Sequence, residues 1–318
     1  GRMAYEVLIE KFTPDEPDGR VDIVLPDEVV AIGEKAFRFT NEVRSIRASE
    51  NLVRVGDAAF DGCRNLAEVD FPGDVTSVGK RAFQHCTSLG EIAFSDALTC
   101  IDDAAFQGAT SLSRVSAPGV ATLCRYAFQR CASLVEVQLG SLESIGRRAF
   151  ANCTELARID LPDTIKSIEE EAFSGCEKLR EISIPESIEE IGPRAFRGCV
   201  NLDAALIPES VVKRFPEAFT QEAAASAGVV LKNERSRLST AFQQEHEADR
   251  EELMADGKRL VAEEDDLRKQ IANLGVFARS EKERLQTRLS EVEGQLTEVR
   301  DLIDALDNPT DEDLLSML

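Results

Sequence analysis

Eight cysteines, two histidines and 59 acidic residues are the side chains of this 318-residue chain that could carry chemistry. The cysteines could ligate a metal or pair as disulfides. Thiolate metal sites favour short spacings of the Cys-x2-Cys kind, and the chain contains none. Imidazole ligands would have to come from His85 or His246. A histidine-based triad would need the same two residues, and no Gly-x-Ser-x-Gly elbow or glycine-rich phosphate loop accompanies them. Carboxylate pairs abound, but with so many acids their coincidence does not point to general acid–base catalysis. Runs such as Glu169-Glu170-Glu171 read as a solvated face. The sequence therefore predicts no enzyme, no catalytic residue, no metal ligand and no cofactor.

Composition bounds the partners. Lys plus Arg is 37, so the net charge is −22. That argues against a nucleic-acid backbone, which needs a basic surface to release counterions, and against an anionic membrane surface. The longest mostly apolar run, Ala223 to Leu231, is about nine residues, whereas a membrane span needs about 20. Gly1-Arg2 reads as an expression remnant before a native start at Met3. The only apolar run near the N-terminus, Val7-Leu8-Ile9, is too short for a signal-peptide core. The expectation is a cytoplasmic protein, or a secreted or surface one if a signal peptide has been removed.

What must position any functional side chain is a repeat. An Ala-Phe pair recurs at Phe37, Phe60, Phe83, Phe106, Phe128, Phe150, Phe173, Phe196 and Phe219, at intervals of 22 or 23 residues. Three residues after Phe stand Cys63, Cys86, Cys131, Cys153, Cys176 and Cys199, with Ala109 at one exception. Six after comes an apolar residue, usually Leu (Leu66, Leu89, Leu134), and nine after comes Ile or Val (Val69, Ile92, Ile159). Proline often ends this alternating stretch, as at Pro72, Pro162 and Pro185. A second apolar pair, such as Ile188 and Ile191, precedes the next Phe. Each period reads as one coil with a longer strand, a short strand and a closing turn. One coil cannot bury its apolar side, but stacked coils can. The phenylalanines are core, and the six periodic cysteines are small reduced thiols filling a tight turn. Cys100 and Cys124 fall outside that ladder and read as the more exposed thiols. Stacking leaves a disulfide between neighbouring coils geometrically open.

The stretch Ser167 to Leu202, SIEEEAFSGCEKLREISIPESIEEIGPRAFRGCVNL, resembles the BspA-type leucine-rich repeat family, whose pattern is Ile-Gly-x-x-Ala-Phe-x-x-Cys-x-x-Leu-x-x-Ile-x-Ile-Pro. The resemblance spans about Val21 to Leu231. It implies an α/β leucine-rich-repeat solenoid that is β-rich, right-handed and curved, here of about nine coils. It also implies binding rather than catalysis, with surface adhesins as known members.

Alternation places the eighth and tenth residues after each Phe on the outer face of the long strand. The candidate partner-binding face is thus Arg47, Glu68, Asp70, Glu91, Arg114, Glu136, Gln138, Arg158, Asp160 and Glu181. It is mixed in charge and lacks the aromatic anchors common at interface hot spots.

Residues 1–20 read as an N-terminal cap and 21–231 as the solenoid, with Val229 to Leu231 as a capping strand. Residues 232–307 read as an antiparallel helical hairpin or coiled coil. The first helix carries Leu253, Leu260, Leu267 and Leu274 at every seventh position. The second carries Leu285, Leu289, Val292, Leu296, Val299, Ile303 and Leu306, spaced alternately by 4 and 3. A break at Asn273-Leu274-Gly275, a helix start at Ser280 and a kink at Gly257 are expected, with a first helix of about 40 residues. Residues 308–318 read as an acidic-hydrophobic tail whose Leu314, Leu315 and Leu318 either fold back on the hairpin or insert into a partner's groove. The reading is a non-enzymatic protein–protein interaction scaffold, with a protein partner and a possible homo-oligomer through the helices, without nucleic acid or a membrane span. The alternative is an exported adhesin.

Overall fold

A computed structural model describes residues 7–9, 21–203, 206–219, 237, 239–274, 279–309 and 313. The chain divides into two compact units, Gly1–Gln221 and Glu222–Leu318.

The first unit is a parallel-strand solenoid. Each period supplies a longer strand, such as Glu91–Ala93, Arg114–Ser116 and Glu136–Gln138, and a two-residue strand, such as Cys100–Ile101, Thr122–Leu123 and Ser144–Ile145. Like strands pair in parallel with their counterparts one coil away: Val115 stands beside Ile92 and Val137, and Leu123 beside Ile101 and Ile145. Seven long–short pairs follow one another from Val43–Arg47 to Glu190–Ile191, preceded by Val21–Val24 and Val29–Ile32. Val7–Ile9 adds a parallel strand to the short-strand edge at Val29–Ile32.

The turn bearing Ala-Phe is held by two alternating sets of hydrogen bonds. Phe60 N–H donates to Ala82 O of the next coil at 2.7 Å, and Ala58 and Gly62 do the same to Lys80 and Gln84. The residues between them, Ala59, Asp61 and Cys63, donate back three residues within their own coil. Every second peptide thus points along the stack. The geometry puts the residues two before and two after Phe in the left-handed region, as at Ala58 (φ 50°) and Gly62 (φ 72°). Glycine suits the second site for two reasons. The backbone conformation is unstrained for it, and a Cβ on Gly62 would lie 2.3 Å from the Phe39 ring.

Packing follows from this register. All nine rings stack, with centroids 5.0–5.4 Å apart and planes within 12°. Eight of them, Phe37 through Phe196, are fully buried. Phe71 and Phe94 lean on the column at 6.3–6.4 Å. The six periodic thiols are buried, and each reaches back one coil to the carbonyl of a phenylalanine: Cys63 Sγ to Phe37 O at 2.8 Å, Cys153 Sγ to Phe128 O at 3.1 Å, Cys199 Sγ to Phe173 O at 3.1 Å. Cysteine fits because it is small, apolar and still a weak donor.

Charge also enters the stack. Arg38 Nε donates to Asp61 Oδ2 at 2.9 Å with both side chains about 4% exposed, and the His85 ring lies 3.7 Å from Asp61 Oδ1. Burial pushes the Asp61 carboxyl up, but His85 and Arg38 together outweigh it and hold the group below the usual carboxylate range. Beside it the amides of Gln84, Gln107 and Gln129 form a ladder, each bond 2.5 Å. Glu171 departs from the solvated reading. It is buried between Arg148 Nε at 2.5 Å and Arg194 Nε at 3.1 Å, because its place two before Phe173 turns the side chain onto the stack. Glu169 stays exposed, and its carboxylate accepts Arg147 N–H at 2.8 Å.

The solenoid's described end differs from a plain coil. Helix α1 (Glu209–Arg214) and a 3-10 turn at Pro216–Phe219 take the place of strands, and Arg194 and Phe196 N–H bond to Glu217 and Ala218 carbonyls there. Arg214, which interrupts the apolar pattern, donates from Nη2 to the Glu186 and Ile188 carbonyls at 2.9 and 3.0 Å. Val229 to Leu231 lie outside the described residues.

The second unit is an antiparallel helix pair, α2 (Glu247–Asn273) and α3 (Arg279–Asp307). Arg250 near the start of α2 bonds Asp307 at the end of α3 at 2.5 and 3.1 Å, whereas Glu263 and Arg268 further along α2 bond Arg288 and Glu293 nearer the start of α3, at 2.8 and 2.6 Å, so the helices run in opposite senses. The expected 40-residue first helix is interrupted at His246, whose Nδ1 lies 2.9 Å from Phe242 O. Gly257 does not break α2. A Cβ there would meet Val299 Cγ1 at 3.5 Å, an ordinary van der Waals contact. No helix among the described residues is long and apolar enough to cross a membrane.

Two measurements probe this frame. Phe128→Ala should lower stability by about 3–5 kcal/mol in urea unfolding, since it leaves a ring-sized gap between two stacked neighbours. Asp61→Asn should cost a comparable amount near neutral pH, because it removes the buried carboxylate that accepts from Arg38 Nε. An aspartate held below its ordinary pKa stabilises the fold above about pH 4 and loses that contribution as pH falls through the folded value. The gap between wild type and Asp61→Asn should therefore narrow on acidification.

Candidate interaction surface

The outward residues of the long strands form rows because each strand repeats its neighbour's register. Arg47, Glu68, Asp70, Glu91, Arg114, Glu136, Gln138, Arg158, Asp160 and Glu181 are all exposed. Much of their charge is matched along the stack. Arg47 Nε lies 2.8 Å from Asp70, Arg114 Nε 3.4 Å from Glu136, and Arg158 sits 3.1 Å from Asp160 and 3.5 Å from Glu181. Gln138 Nε2 donates to Glu136 at 2.8 Å. Such exposed pairs contribute little to stability, about 0–1 kcal/mol each. Their effect is to order long side chains into a fixed pattern. Glu68 and Glu91 face each other in register, which sets two carboxylates side by side in the middle of the row. Like charges placed so are mildly destabilising. Sequence reading missed one pair at the row's start: Arg44 with Asp22, the two bonded through both guanidinium and carboxylate arms, with Ser45 Oγ also on Asp22 at 2.7 Å. Arg44 stands seven after Phe37, a place the alternation rule skips.

The family described as BspA type leucine rich repeat region, in six copies, matches residues 20–135 and 115–226. The chain belongs to the BspA-type leucine-rich repeat family. Its fold is that of a scaffold consistent with protein–protein interaction or adhesion. Among solved structures, a leucine-rich repeat protein of T. pallidum is 27% identical, covering 64% of this chain and 86% of that one, with a TM-score of 0.48. A leucine-rich cell surface protein of Faecalibacterium prausnitzii A2-165 is 19% identical over 57% of this chain and 77% of its own, with a TM-score of 0.37. The pneumococcal vaccine antigen PcpA is 18% identical over 61% and 64%, with a TM-score of 0.30. No curated protein matches the chain.

In this BspA-type chain the remaining sequence-derived candidates separate by place. Leu253, Leu260 and Leu267 of α2 and Val292, Leu296 and Val299 of α3 are buried between the helices. Leu285, Leu289, Ile303 and Leu306 are half-buried on α3, and Leu274 is the extended residue that ends α2. Val261 is 43% exposed, so it stands off the seam. Leu314, Leu315 and Leu318 lie outside the described residues.

The thiols separate into two classes. The six behind the phenylalanines are enclosed. Burial pushes Cys199 up to about 12, and Cys86, Cys131, Cys153 and Cys176 are raised by burial too. Cys100 and Cys124, expected to be exposed, are half-buried and face each other with sulfurs 3.6 Å apart. The signal for this pair lies in the column four residues before Phe. It holds Gly33, Gly56, Gly79, Gly146 and Gly192, but Asp102 and Cys124 on two successive coils.

Brief alkylation of the folded chain at pH 8 should modify Cys100 or Cys124 and spare the other six, as read by peptide mass mapping, whereas the unfolded chain should label at all eight. Labelling at Cys153 or Cys176 in the folded chain would contradict the enclosed packing.

Proposed function

We propose that this chain is a non-enzymatic interaction scaffold whose long-strand face recognises a protein and whose helix pair serves assembly. The observation that carries the reading is the row from Arg47 to Glu181. Exposed charged and amide groups are repeated coil after coil on one parallel sheet and are held in place by ion pairs along the stack. A rigid row of this kind lowers the ordering cost of binding. Its mixed signs suit a protein surface of complementary charge, and the net charge of −22 disfavours nucleic acid.

The helical region supports the assembly half. Alternate spacings of 4 and 3 along α3 give a coiled-coil seam. Its middle is buried against α2, while Leu285, Leu289, Ile303 and Leu306 remain half-buried. Two helices shield such a seam from one side, and a second hairpin would cover the rest. A dimer would present two solenoids and raise avidity. A reducing compartment such as the cytoplasm is part of this proposal; it is supported by six thiols that donate to carbonyls of the preceding coil.

The test is capture of interacting proteins with the intact chain, with an Arg114→Glu/Arg158→Glu variant and with a Leu289→Lys/Ile303→Lys variant. The first variant should lose the partner and keep its unfolding midpoint. The second should keep the partner and lose the dimer in light scattering. Capture unaffected by reversing both arginines would remove the sheet face from recognition.

A further inference from the structure

We propose that Asp102, Asp103 and Cys124, with Cys100 as a fourth donor, form a binding site for a thiophilic divalent cation of the Zn2+ class. The argument starts from the strand register. Thr122 stands beside Cys100 and Leu123 beside Ile101. Cys124 N–H continues the ladder, donating to Ile101 O at 2.9 Å, which sets Cys124 opposite Asp102. Residues 100 and 102 share one face of a strand, and residue 124 lies on the same face of the next coil. Cys124 therefore meets the Asp102–Asp103 pair across the coil boundary, and Cys100 adjoins the group through the Cys124 sulfur. The two sulfurs are 3.6 Å apart, and the ligand atoms of Asp102, Asp103 and Cys124 all lie within 4.8 Å of one another.

These distances suit a shared cation better than a disulfide. Cys100 and Cys124 are diagonal neighbours, offset by two residues along strands about 4.8 Å apart, so their α-carbons stand about 8 Å from each other. That exceeds the usual disulfide span of about 4.4–6.8 Å. A tetrahedral zinc with bonds of about 2.3 Å to sulfur holds two thiolates about 3.8 Å apart. Two sulfurs with two carboxylates is a donor set that favours a borderline-soft cation over Mg2+ or Ca2+.

The repeat itself marks the place. Position four before Phe is normally glycine because the preceding coil's backbone is in the way. A Cβ would meet Glu34 N at 2.7 Å from Gly56, Cys124 C at 2.8 Å from Gly146 and Glu170 N at 2.4 Å from Gly192. Asp102 and Cys124 accept that crowding on consecutive coils. Phe215 departs in the helical last coil, and Glu169, the departure within a regular coil, has a turn contact to show for it, taking Arg147 N–H. For Asp102 the corresponding N–H, that of Lys80 in the preceding coil, goes to Asp57 Oδ1 at 2.9 Å instead. Asp103 repeats the role of Asp57 further along the stack: its Oδ1 accepts the N–H of Arg125 in the following coil at 3.0 Å, and the Arg125 guanidinium holds its other oxygen at 2.8 Å. Asp103 is thus pre-positioned by the next coil, Asp102 Oδ1 accepts the Asp103 N–H at 2.7 Å and leaves its other oxygen for a cation, and the two thiols meet only each other in the contacts that hold the turn. Local rules broken together at one spot are expected where function outweighs packing.

Binding forms two metal–sulfur bonds, breaks two S–H bonds and releases two protons to solvent, with no change of oxidation state.

The test titrates the reduced, metal-free full chain with Cd2+, read by thiolate-to-cadmium charge-transfer absorption and by native mass spectrometry. One Cd2+ per chain is expected. Cys100→Ser and Cys124→Ser should each abolish the band, and Asp102→Asn, which keeps both sulfurs, should weaken binding about tenfold. Cys153→Ala should bind as wild type. A chain that takes up no Cd2+, or one whose absorption and stoichiometry survive in both serine variants, would overturn the site. The thermal midpoints of the variants without metal establish that they are folded, and Asp102→Asn supplies an independent arm should a serine variant melt early.

Discussion

Register between successive coils is the constraint on which everything else in the solenoid rests. Backbone N–H groups at alternate positions of the Ala-Phe turn bond to the next coil, which forces like residues to superimpose. Ring then lies on ring, thiol on carbonyl and amide on amide. None of these contacts is strong alone: a stacked aromatic pair adds about 0.5–1.5 kcal/mol beyond its buried area. Their repetition makes the core continuous, and no single coil could supply one. The same superposition explains why charge can be buried here. Arg38 with Asp61, and Glu171 with Arg148 and Arg194, each meet a partner in the adjacent coil at a fixed height.

The repeat was legible because it is written in residue types that have few alternatives. Phenylalanine, leucine and cysteine at constant offsets fixed the core face and, by alternation, the exposed row from Arg47 to Glu181. Side chains whose position depends on backbone φ were not legible. Glu171 looks like one of three solvated acids. It is buried because the residue two before Phe adopts a left-handed conformation that turns it onto the stack. The Arg44–Asp22 pair was hidden by the same reliance on simple alternation. In the helical region, heptad spacing located the seam but not the interruption at His246, which depends on a side chain reaching back to Phe242.

The Cys100–Cys124 pair shows how a repeat advertises its exceptions. Neither cysteine occupies a position used by the other six, and their meeting depends on a diagonal offset between coils that no linear spacing expresses. What could be read was negative: glycine is missing from its column on two successive coils, at Asp102 and Cys124, besides Glu169 and Phe215 further on. Where a scaffold is this regular, each lapse in a column is informative about selection acting on something other than the core.

The ring column is also a ruler. Its steps of 5.0–5.4 Å are set by aromatic thickness and strand spacing together, and each coil leans only on the two beside it. Deleting or duplicating one whole period would leave the flanking coils facing surfaces of the same shape. The reach of such a molecule can therefore be lengthened or shortened over evolutionary time in quanta of one coil, with the chemistry on every other rung left undisturbed.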